Sequence, residues 1–231
     1  MPDIKLTPRL QCIAEHVPVG SAPADVGTDH AYLPLYLLQQ NIVVHAIGSD
    51  VRIGPLTRAR ENAQAFGLGD RLALRLAAGL DAIAPQECNV ISIAGMGGET
   101  IAAILTAAPW TAEGAHTLLL QPMTRIAELR RFLRVHGYQI RAEYVCQEER
   151  RFYVVLHVHG GGVPEPAPAL WECYSSPALL QAPHAKPYLS ALLRREKHAL
   201  AGMERGVTQE AELTEQRNIV RALESALEEL A

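Results

Sequence analysis

Two apolar runs near residue 150 place the strongest constraint on the fold of this chain. They are YQIRAEYVCQE (residues 138–148) and RFYVVLHVHG (residues 151–160), and only Glu149 and Arg150 lie between them. Neighbouring parallel strands need a crossover of a dozen or more residues, so these two strands can pair only as an antiparallel hairpin. The chain before them alternates short apolar runs with amphipathic helices, which predicts parallel βα units.

Five such βα units precede the hairpin. Strands are predicted at residues 22–28, 43–50, 72–79, 88–95 and 116–122, and helices at residues 33–40, 54–67, 99–108 and 125–137, with a short connection after the third strand. Pro34 and Pro55 suit the first turns of two of these helices. Five parallel strands and a hairpin predict a seven-stranded α/β sheet, whereas a dinucleotide-binding dehydrogenase more often has a sixth parallel strand.

The C-terminal part of the chain differs in composition from the α/β part. Residues 160–172 are rich in glycine and proline and predict a linker without a strand or helix of its own. Beyond it, two apolar stripes at helical spacing predict two antiparallel helices with a break near Gly206. The stripes are formed by Leu189, Leu193, Leu200, Met203 and Val207, and by Leu213, Val220, Leu223, Leu227 and Leu230. We therefore expect an α/β domain over residues 1–160, a linker over 161–175 and a coiled-coil hairpin over 176–231.

Composition limits the classes of function. The chain has 231 residues, of which 48% are hydrophobic, and its mean hydropathy is +0.03. No apolar run approaches the ~20 residues that span a bilayer, and the N-terminal residues do not resemble a signal peptide, so we expect a cytoplasmic protein that does not contact membranes. The net charge of −4 means that any nucleic acid must bind a local basic patch. The four scattered cysteines predict free thiols and no zinc site.

A loop after the first predicted strand, DVGTDHAYLP, carries the first candidate site residues. Gly27 allows the backbone to approach a ligand closely, because glycine has no side chain. Asp50 ends the second strand, at the usual separation of about 20 residues where an acid accepts hydrogen bonds from ribose hydroxyls. Together, Gly27 and Asp50 predict a nucleoside cofactor. Asp29 and His30 stand where such loops usually place further glycines.

Two later turns complete the candidate site. The stretch AAGLDAI (residues 77–83) follows the third strand, and IAGMGGET (residues 93–100) follows the fourth. The glycines of the second turn allow close approach of a ligand; the alternative is a turn that serves only chain geometry. Five βα units with a terminal hairpin are the pattern of class I methyltransferases. The fourth-strand turn lacks the Asn/Asp-Pro-Pro-aromatic sequence of many enzymes that methylate exocyclic amines, which argues against that chemistry.

These motifs resemble one family. The segments LTPRLQCIAEHVP, ADVGTDHAYLPLYLL, SDVRIGPLTRARENAQAFGL, IAGMGGETI and LLLQPMT are similar, in order and spacing, to the bacterial tRNA (adenine22-N1)-methyltransferases of the TrmK family. The similarity runs from about Lys5 to the hairpin, and the C-terminal helices resemble that family's extension. The resemblance implies a Rossmann-like class I methyltransferase fold, S-adenosylmethionine as methyl donor, and methylation of adenine N1 in the tRNA D-arm. It also implies that Asp29 is catalytic.

The chemistry of N1 methylation agrees with an acid at residue 29. Adenine N1 already has a lone pair, so positioning the base supplies much of the catalysis. Methylation leaves a cationic base, and a carboxylate stabilises that developing charge and accepts a hydrogen bond from the N6 amine. The structural alternative is that Asp29 caps the helix that follows it.

The resemblance and the positions of the turns give the expected binding residues. Cofactor-binding residues are expected at Asp25, Gly27, Asp29, His30, Asp50, Val51, Ala78, Gly79, Ala94 and Gly95. Substrate-binding residues are expected at Arg9, Tyr32, Met96, Gly97, Gln121 and Pro122. We expect His30 to bond cofactor or backbone rather than shuttle protons. Tyr32 either stacks on the target base or packs in the core. Ala78 departs from the family's G-[DN]-G-L sequence, which removes a polar contact to the cofactor.

Several features have a simpler interpretation. His157 and His159 lie on one side of a strand without a third ligand nearby, so we expect no metal site. Residues Arg130, Arg131 and Arg134 are expected to form a solvated helix face. The alternatives to the family's function are a methyltransferase for another RNA position or a small molecule, and an inactive protein that binds RNA or a protein partner. We expect a monomer or weak homodimer that binds tRNA.

Overall fold

The computed structural model of the protein describes residues 3–207 and 209–231 and contains one seven-stranded sheet. The strands are β1 (Pro23–Val26), β2 (Ala46–Asp50), β3 (Leu72–Leu76), β4 (Val90–Gly97), β5 (Thr117–Thr124), β6 (Gln139–Glu148) and β7 (Arg151–His159). Their order is β3-β2-β1-β4-β5-β7-β6. β1 to β5 pair in parallel, and β7 is antiparallel to both β5 and β6. The predicted seven-stranded fold with its terminal hairpin is confirmed.

Helices cover both faces of this sheet. They are α1 (Pro8–Ala14), α2 (Tyr32–Gln39), α3 (Ile53–Ala65), α4 (Gly98–Ala107), α5 (Ile126–Val135), α6 (Pro177–Leu180), α7 (Ala185–Arg205) and α8 (Glu210–Glu228). The sequence did not predict α1, which is short and begins at a proline. α1 packs against β6, where His16, just after the helix, stacks on Tyr144 with ring centroids 3.4 Å apart. No helix in the described part of the chain is long and apolar enough to cross a bilayer.

The two faces of the sheet bury two separate apolar clusters. Alternate residues of β5 point to opposite faces, so Leu118 and Leu120 join one cluster and Leu119 joins the other. The cluster of Leu118 also contains Leu189 of α7 and Leu223 of α8, both fully buried. The base of the C-terminal helices is therefore part of the core of the α/β domain.

The C-terminal helices α7 and α8 run antiparallel, as predicted. Glu224 pairs with Lys197 (2.6 Å), and Arg217 pairs with Glu204 (3.3 Å), so residues later in α8 contact residues earlier in α7. The predicted stripe is wrong at Val207, which is fully exposed beyond the end of α7. The coiled-coil character of this packing and the proposed domain boundaries remain predictions.

The segment before these helices is more ordered than its composition predicted. A 3-10 turn covers Leu170–Cys173, so the expectation of a linker without a helix was wrong there. Cys173 is buried, and Trp171 packs on the apolar cluster that contains Leu118. Packing of apolar side chains such as that of Trp171 stabilises this turn, although the residues before it are rich in glycine and proline. All four cysteines are free, as predicted, although Cys146 is only half-buried.

A buried ion pair joins this segment to the sheet. Arg130 of α5 is only 1% exposed, which corrects the prediction of a solvated helix face. Its guanidinium makes two hydrogen bonds to the carboxylate of Glu143 in β6 (3.0 and 2.6 Å) and donates to the backbone carbonyl of Cys173 (3.0 Å). Ser176 donates to the same carboxylate (2.6 Å). Burial opposes the charge of Arg130, but the Glu143 carboxylate holds the pKa of Arg130 above its usual value.

We predict that Glu143→Gln lowers the free energy of unfolding by about 3–5 kcal/mol, because it leaves the Arg130 charge buried without a counter-charge. Urea unfolding followed by circular dichroism measures the change. Arg134→Gln is the control, because Arg134 lies on the same helix as Arg130. Its ion pair with Glu165 is largely exposed, and such pairs contribute under about 1 kcal/mol. Equal losses in the two variants would contradict the assigned role of Arg130.

Candidate active site

A cavity of about 510 Å³ lies at the carboxyl ends of β1, β2 and β4. The chain leaves β1 toward β2 on one side, while β4 pairs with β1 on the other side. The loops after β1 and β4 therefore separate there and leave a crevice, which is the usual ligand site of open α/β sheets. The lining residues come from α1, from the C-terminal ends of β1, β2 and β4, from the start of α2, and from the segments that follow β1, β2 and β3.

The loop after β1 has an unusual backbone. Gly27, Asp29 and Ala31 all have positive φ angles, of 72°, 50° and 59°. The left-handed φ of Gly27 favours glycine, and a side chain there would also displace the terminal methyl group of the flexible Met96 side chain. The backbone N–H groups of Gly27 and Thr28 donate to the Ser49 carbonyl at 2.8 and 2.9 Å. These bonds fix the loop against the end of β2.

Asp29 lines the cavity and does not cap the helix that follows. The residue at the N-cap of α2 is Ala31, and no side chain makes a capping hydrogen bond there. The capping alternative for Asp29 is therefore wrong. The side chain of Asp29 is 58% exposed, and one of its carboxylate oxygens lies 3.5 Å from Nε2 of His30. Non-glycine residues with positive φ carry strain that often marks a functional site.

His30 and Tyr32 border the same cavity. The His30 carbonyl accepts a hydrogen bond from Asn62 of α3 (3.0 Å), so its backbone tethers the loop to that helix. The rings of His30 and Tyr32 lie 5.8 Å apart. Tyr32 is exposed at the cavity rim, where its ring is accessible to a ligand, rather than packed in the core.

Asp50 presents a buried carboxylate at the end of β2. One oxygen accepts the backbone N–H of Arg52 at 2.8 Å. The adjacent Val51 exposes its apolar side chain at the cavity rim. An acid next to an exposed apolar side chain suits a ribose and the base attached to it.

Asp25 forms the buried floor of the cavity. It accepts a hydrogen bond of 2.6 Å from the hydroxyl of Ser92 in β4. Burial raises the pKa of Asp25 to about 6, and the bond from Ser92 only partly opposes this shift. A bound cation would restore the charged form, so the floor favours a positively charged ligand group.

The raised pKa of Asp25 predicts a pH-dependent effect of its removal. The folded protein favours protonated Asp25, so the wild type loses stability as pH rises from about 4 to about 6. Asp25→Asn should unfold with a free energy roughly 1–3 kcal/mol higher than that of the wild type at pH 7.5. The difference should disappear near pH 4. Thermal unfolding across this range tests the prediction, and a pH-independent difference would count against it.

Gln121 lies behind the cavity wall and forms hydrogen bonds with two residues of that wall, Arg9 and Gly95. Its side chain is fully buried, and its carbonyl oxygen accepts hydrogen bonds from the Arg9 guanidinium (2.8 Å) and the Gly95 backbone N–H (3.1 Å). Its amide nitrogen donates to the Pro122 carbonyl (2.9 Å). Gln121 therefore positions Arg9 rather than lining the cavity itself. The guanidinium of Arg9 also lies 5.9 Å above the ring of Tyr153.

Twelve of the residues expected from the sequence line this cavity, and four do not. The lining residues are Arg9, Asp25, Gly27, Asp29, His30, Tyr32, Asp50, Val51, Gly79, Ala94, Gly95 and Met96. Ala78 is exposed in the turn beside the cavity, whose wall there consists of its neighbours Ala77 and Gly79. Gly97 begins the N-terminal turn of α4, and Pro122 lines a second cavity. These positions and Gln121 do not line the first cavity, and their expected roles in binding stay predictions.

Other residues also line the cavity, namely Leu10, Val26, Thr28, Leu33, Arg52 and Ala77. Val26, Thr28 and Leu33 lie within the loop motif singled out in the sequence, and Ala77 begins the singled-out stretch after the third strand. Leu10 gives no sequence signal, because it reaches the cavity from α1, a helix that was not predicted.

His157 and His159 lie at the opposite end of the sheet, where β7 pairs with the start of β5. Their Nε2 atoms are 3.3 Å apart, and Nδ1 of His157 lies 3.2 Å from the Tyr144 hydroxyl. Burial lowers the pKa of both histidines, so both are neutral at pH 7. Within residues 3–207 and 209–231, no group of three or more possible metal ligands occurs.

The chain matches known methyltransferases. The family described as "Methyltransferase domain" matches residues 6–156. The tRNA (adenine(22)-N(1))-methyltransferase of Bacillus subtilis (strain 168) is 36% identical over 161 residues, which cover 70% of this chain and 68% of that protein. The chain belongs to the TrmK family.

Solved TrmK structures are similar over almost the whole chain. The crystal structure of a putative tRNA (m1A22) methyltransferase of Streptococcus pneumoniae has a TM-score of 0.85 and 32% identity, and the match covers 96% of this chain and 100% of that one. A complex of the same relative with S-adenosyl-L-methionine has a TM-score of 0.83. The m1A22 tRNA methyltransferase TrmK of B. subtilis gives a TM-score of 0.85 with 27% identity, covering 97% and 99% of the two chains. The similarity therefore includes the C-terminal helices.

Proposed function

We propose that this protein transfers the methyl group of S-adenosylmethionine to N1 of adenine 22 in tRNA. Membership of the TrmK family supports the substrate and the cofactor. The observation that carries the mechanism is the exposed carboxylate of Asp29, which lines the cavity and makes no capping bond. We further propose that the enzyme acts in the cytoplasm, as a monomer or weak homodimer.

The residues at the cavity fit this cofactor. The positive φ of Gly27 turns the backbone in the cavity wall, and the buried carboxylate of Asp50 provides an acceptor for ribose hydroxyls. Asp25 offers a negative charge to the cationic methionine portion. When bound, S-adenosylmethionine supplies an electrophilic methyl group on a sulfonium centre.

The protein's own residues orient the base and stabilise charge. Adenine N1 would bond to the methyl carbon through its own lone pair as the bond from that carbon to sulfur breaks, with S-adenosylhomocysteine as the leaving group. No proton has to be removed, and the positive charge passes from sulfur to the adenine ring. The Asp29 carboxylate accepts a hydrogen bond from the N6 amine and lies close to that developing charge. Tyr32 lies at the rim, where its ring can stack on the base. Arg9, fixed by Gln121, supplies a charge-assisted donor at the same rim.

The role of Asp50 gives a prediction for cofactor affinity. Asp50→Ala removes a charged acceptor for the ribose and should weaken S-adenosylmethionine binding by roughly 1.5–3 kcal/mol. Isothermal titration calorimetry measures the affinity, with NAD as a ligand that should not bind. Unchanged affinity in a folded variant would exclude Asp50 from the cofactor site.

The role of Asp29 gives the experiment that tests the function. Unmodified tRNA is incubated with protein and S-adenosylmethionine, and N1-methyladenosine is mapped by reverse-transcription stops. The wild type should produce a stop at position 22, and Asp29→Ala should lower turnover by roughly 100-fold or more. Cofactor affinity should stay within a few-fold, because the carboxylate acts mainly in the transition state.

The other outcomes identify the alternatives. A wild-type stop at a different adenine would indicate another RNA position. Cofactor binding without methylation of any tRNA would favour a small-molecule substrate or an inactive relative. Asp29→Asn is the matched variant, since asparagine tolerates positive φ and keeps a hydrogen-bond acceptor while removing the charge. If Asp29→Asn retained wild-type turnover, the charge would not be the catalytic feature.

A further inference from the structure

A second cavity of about 500 Å³ lies between the start of α5, the turn that joins β6 and β7, and the side of α7. Aromatic and basic side chains dominate its wall. The aromatic residues are Phe152, Tyr153, Tyr174 and Tyr188, and the basic residues are Arg125, Arg150, Arg151 and Arg195. The combination of ring faces and guanidinium groups is typical of grooves that bind single-stranded nucleic acid.

The positive charge of this cavity is only partly compensated. Arg125 pairs with Glu128 (2.8 Å), and Arg195 pairs with Glu196 (2.7 Å). Among residues 3–207 and 209–231, Arg150 and Arg151 have no carboxylate within ion-pair distance. Both are exposed. In a chain of net charge −4, two uncompensated arginines on one rim mark a local site for an anion.

The acidic residues near Arg150 and Arg151 do not neutralise the charge of these arginines. Glu148 and Glu149 belong to the same turn as Arg150, but neither lines the cavity. The Glu148 carboxylate instead lies 3.4 Å from the backbone nitrogen of Arg9, which donates to it. The only carboxylate in the described wall is that of Glu128, and Arg125 already pairs with it.

The second cavity adjoins the cofactor cavity. Arg9 lines the first cavity, and its guanidinium lies over Tyr153, which lines the second. Pro122, in the wall of the second cavity, follows directly after Gln121, which holds Arg9. Arg9 and Tyr153 therefore connect the walls of the two spaces. A base in the first cavity and the next nucleotide of its strand can occupy the two spaces together.

We propose that this second cavity holds the nucleotide next to the target adenine, with a phosphate on Arg150 and Arg151 and the base stacked on Tyr153. The proposal rests on the proposed function, because it needs a tRNA base in the first cavity. It assigns part of the RNA contact to the β6–β7 turn and the base of α7. It also explains why ring faces line a space that no step of the methyl transfer uses.

The phosphate contact is tested with Arg150→Gln/Arg151→Gln, with Arg141→Gln as control. Arg141 is an exposed arginine near the other end of β6. Filter binding gives the Kd for tRNA without need of turnover. The double variant should bind tRNA at least about tenfold more weakly, and the slope of log Kd against log salt should fall by about 1 to 2. S-adenosylmethionine affinity should not change. A Kd and salt slope equal to those of Arg141→Gln would overturn the proposal.

The stacking contact is tested by pairing protein and RNA changes. An abasic nucleotide at position 21 or at position 23 removes the neighbouring base on one side of the target. One of these substitutions should weaken wild-type binding by roughly tenfold, and should have little further effect on Tyr153→Leu. Tyr153→Phe, which keeps the ring, should behave as the wild type. Additive effects of Tyr153→Leu with both abasic tRNAs would rule out stacking on Tyr153.

Failure of this proposal is distinguishable from failure of the proposed function. If the reverse-transcription stop appears at position 22 but the arginine and tyrosine variants match the controls, the function stands and the second cavity does not hold the RNA. If no tRNA is methylated and wild-type binding shows no dependence on Arg150 and Arg151, both proposals fail.

Discussion

The charge of Arg130 determines how the two parts of this protein fit together. A guanidinium that is almost completely buried cannot lose its proton, so it must be surrounded by acceptors. Glu143 provides two of them, and the carbonyl of Cys173 provides a third. These acceptors come from β6 and from the segment before α6, so the ion pair requires the C-terminal segment to lie against the sheet. The wall of the second cavity that α7 provides depends on the same arrangement, since Tyr188 and Leu192 of α7 lie in that wall.

The strand order brings the residues of the first cavity together. Because β1 lies between β2 and β4, the ends of these three strands bring Asp25, Asp50 and Gly95 to one crevice. β5 lies one strand further out, and its buried Gln121 side chain accepts hydrogen bonds from Arg9 and from the backbone of Gly95. The site is therefore built in two layers. The charged side chains of Asp25, Asp50 and Arg9 line the cavity. Behind them, the buried amide of Gln121 fixes the position of Arg9.

The sequence predicted the elements whose signal is local, and missed those whose role depends on distant partners. Each strand follows from a pattern within a few residues, and the pairing of Gly27 with Asp50 follows from their spacing; the structure places both residues in one cavity. Arg130 has the same amphipathic neighbourhood as the exposed Arg131, and only contacts with Glu143 and Cys173, 13 and 43 residues away, distinguish a buried cation from a solvated one. Helix α1 was missed because its seven residues are stabilised by packing on β6 rather than by helix propensity.

The attachment of α1 has a consequence for the order in which the protein matures. Arg9 is bound by the side chains of Gln121 and Glu148, which are 112 and 139 positions later in the chain, and His16 stacks on Tyr144. Because a domain folds as a unit during synthesis, Arg9 can reach its position only after Glu148 has left the ribosome. The first helix to be synthesised therefore depends for its place on β6, one of the last two strands of the sheet to be made.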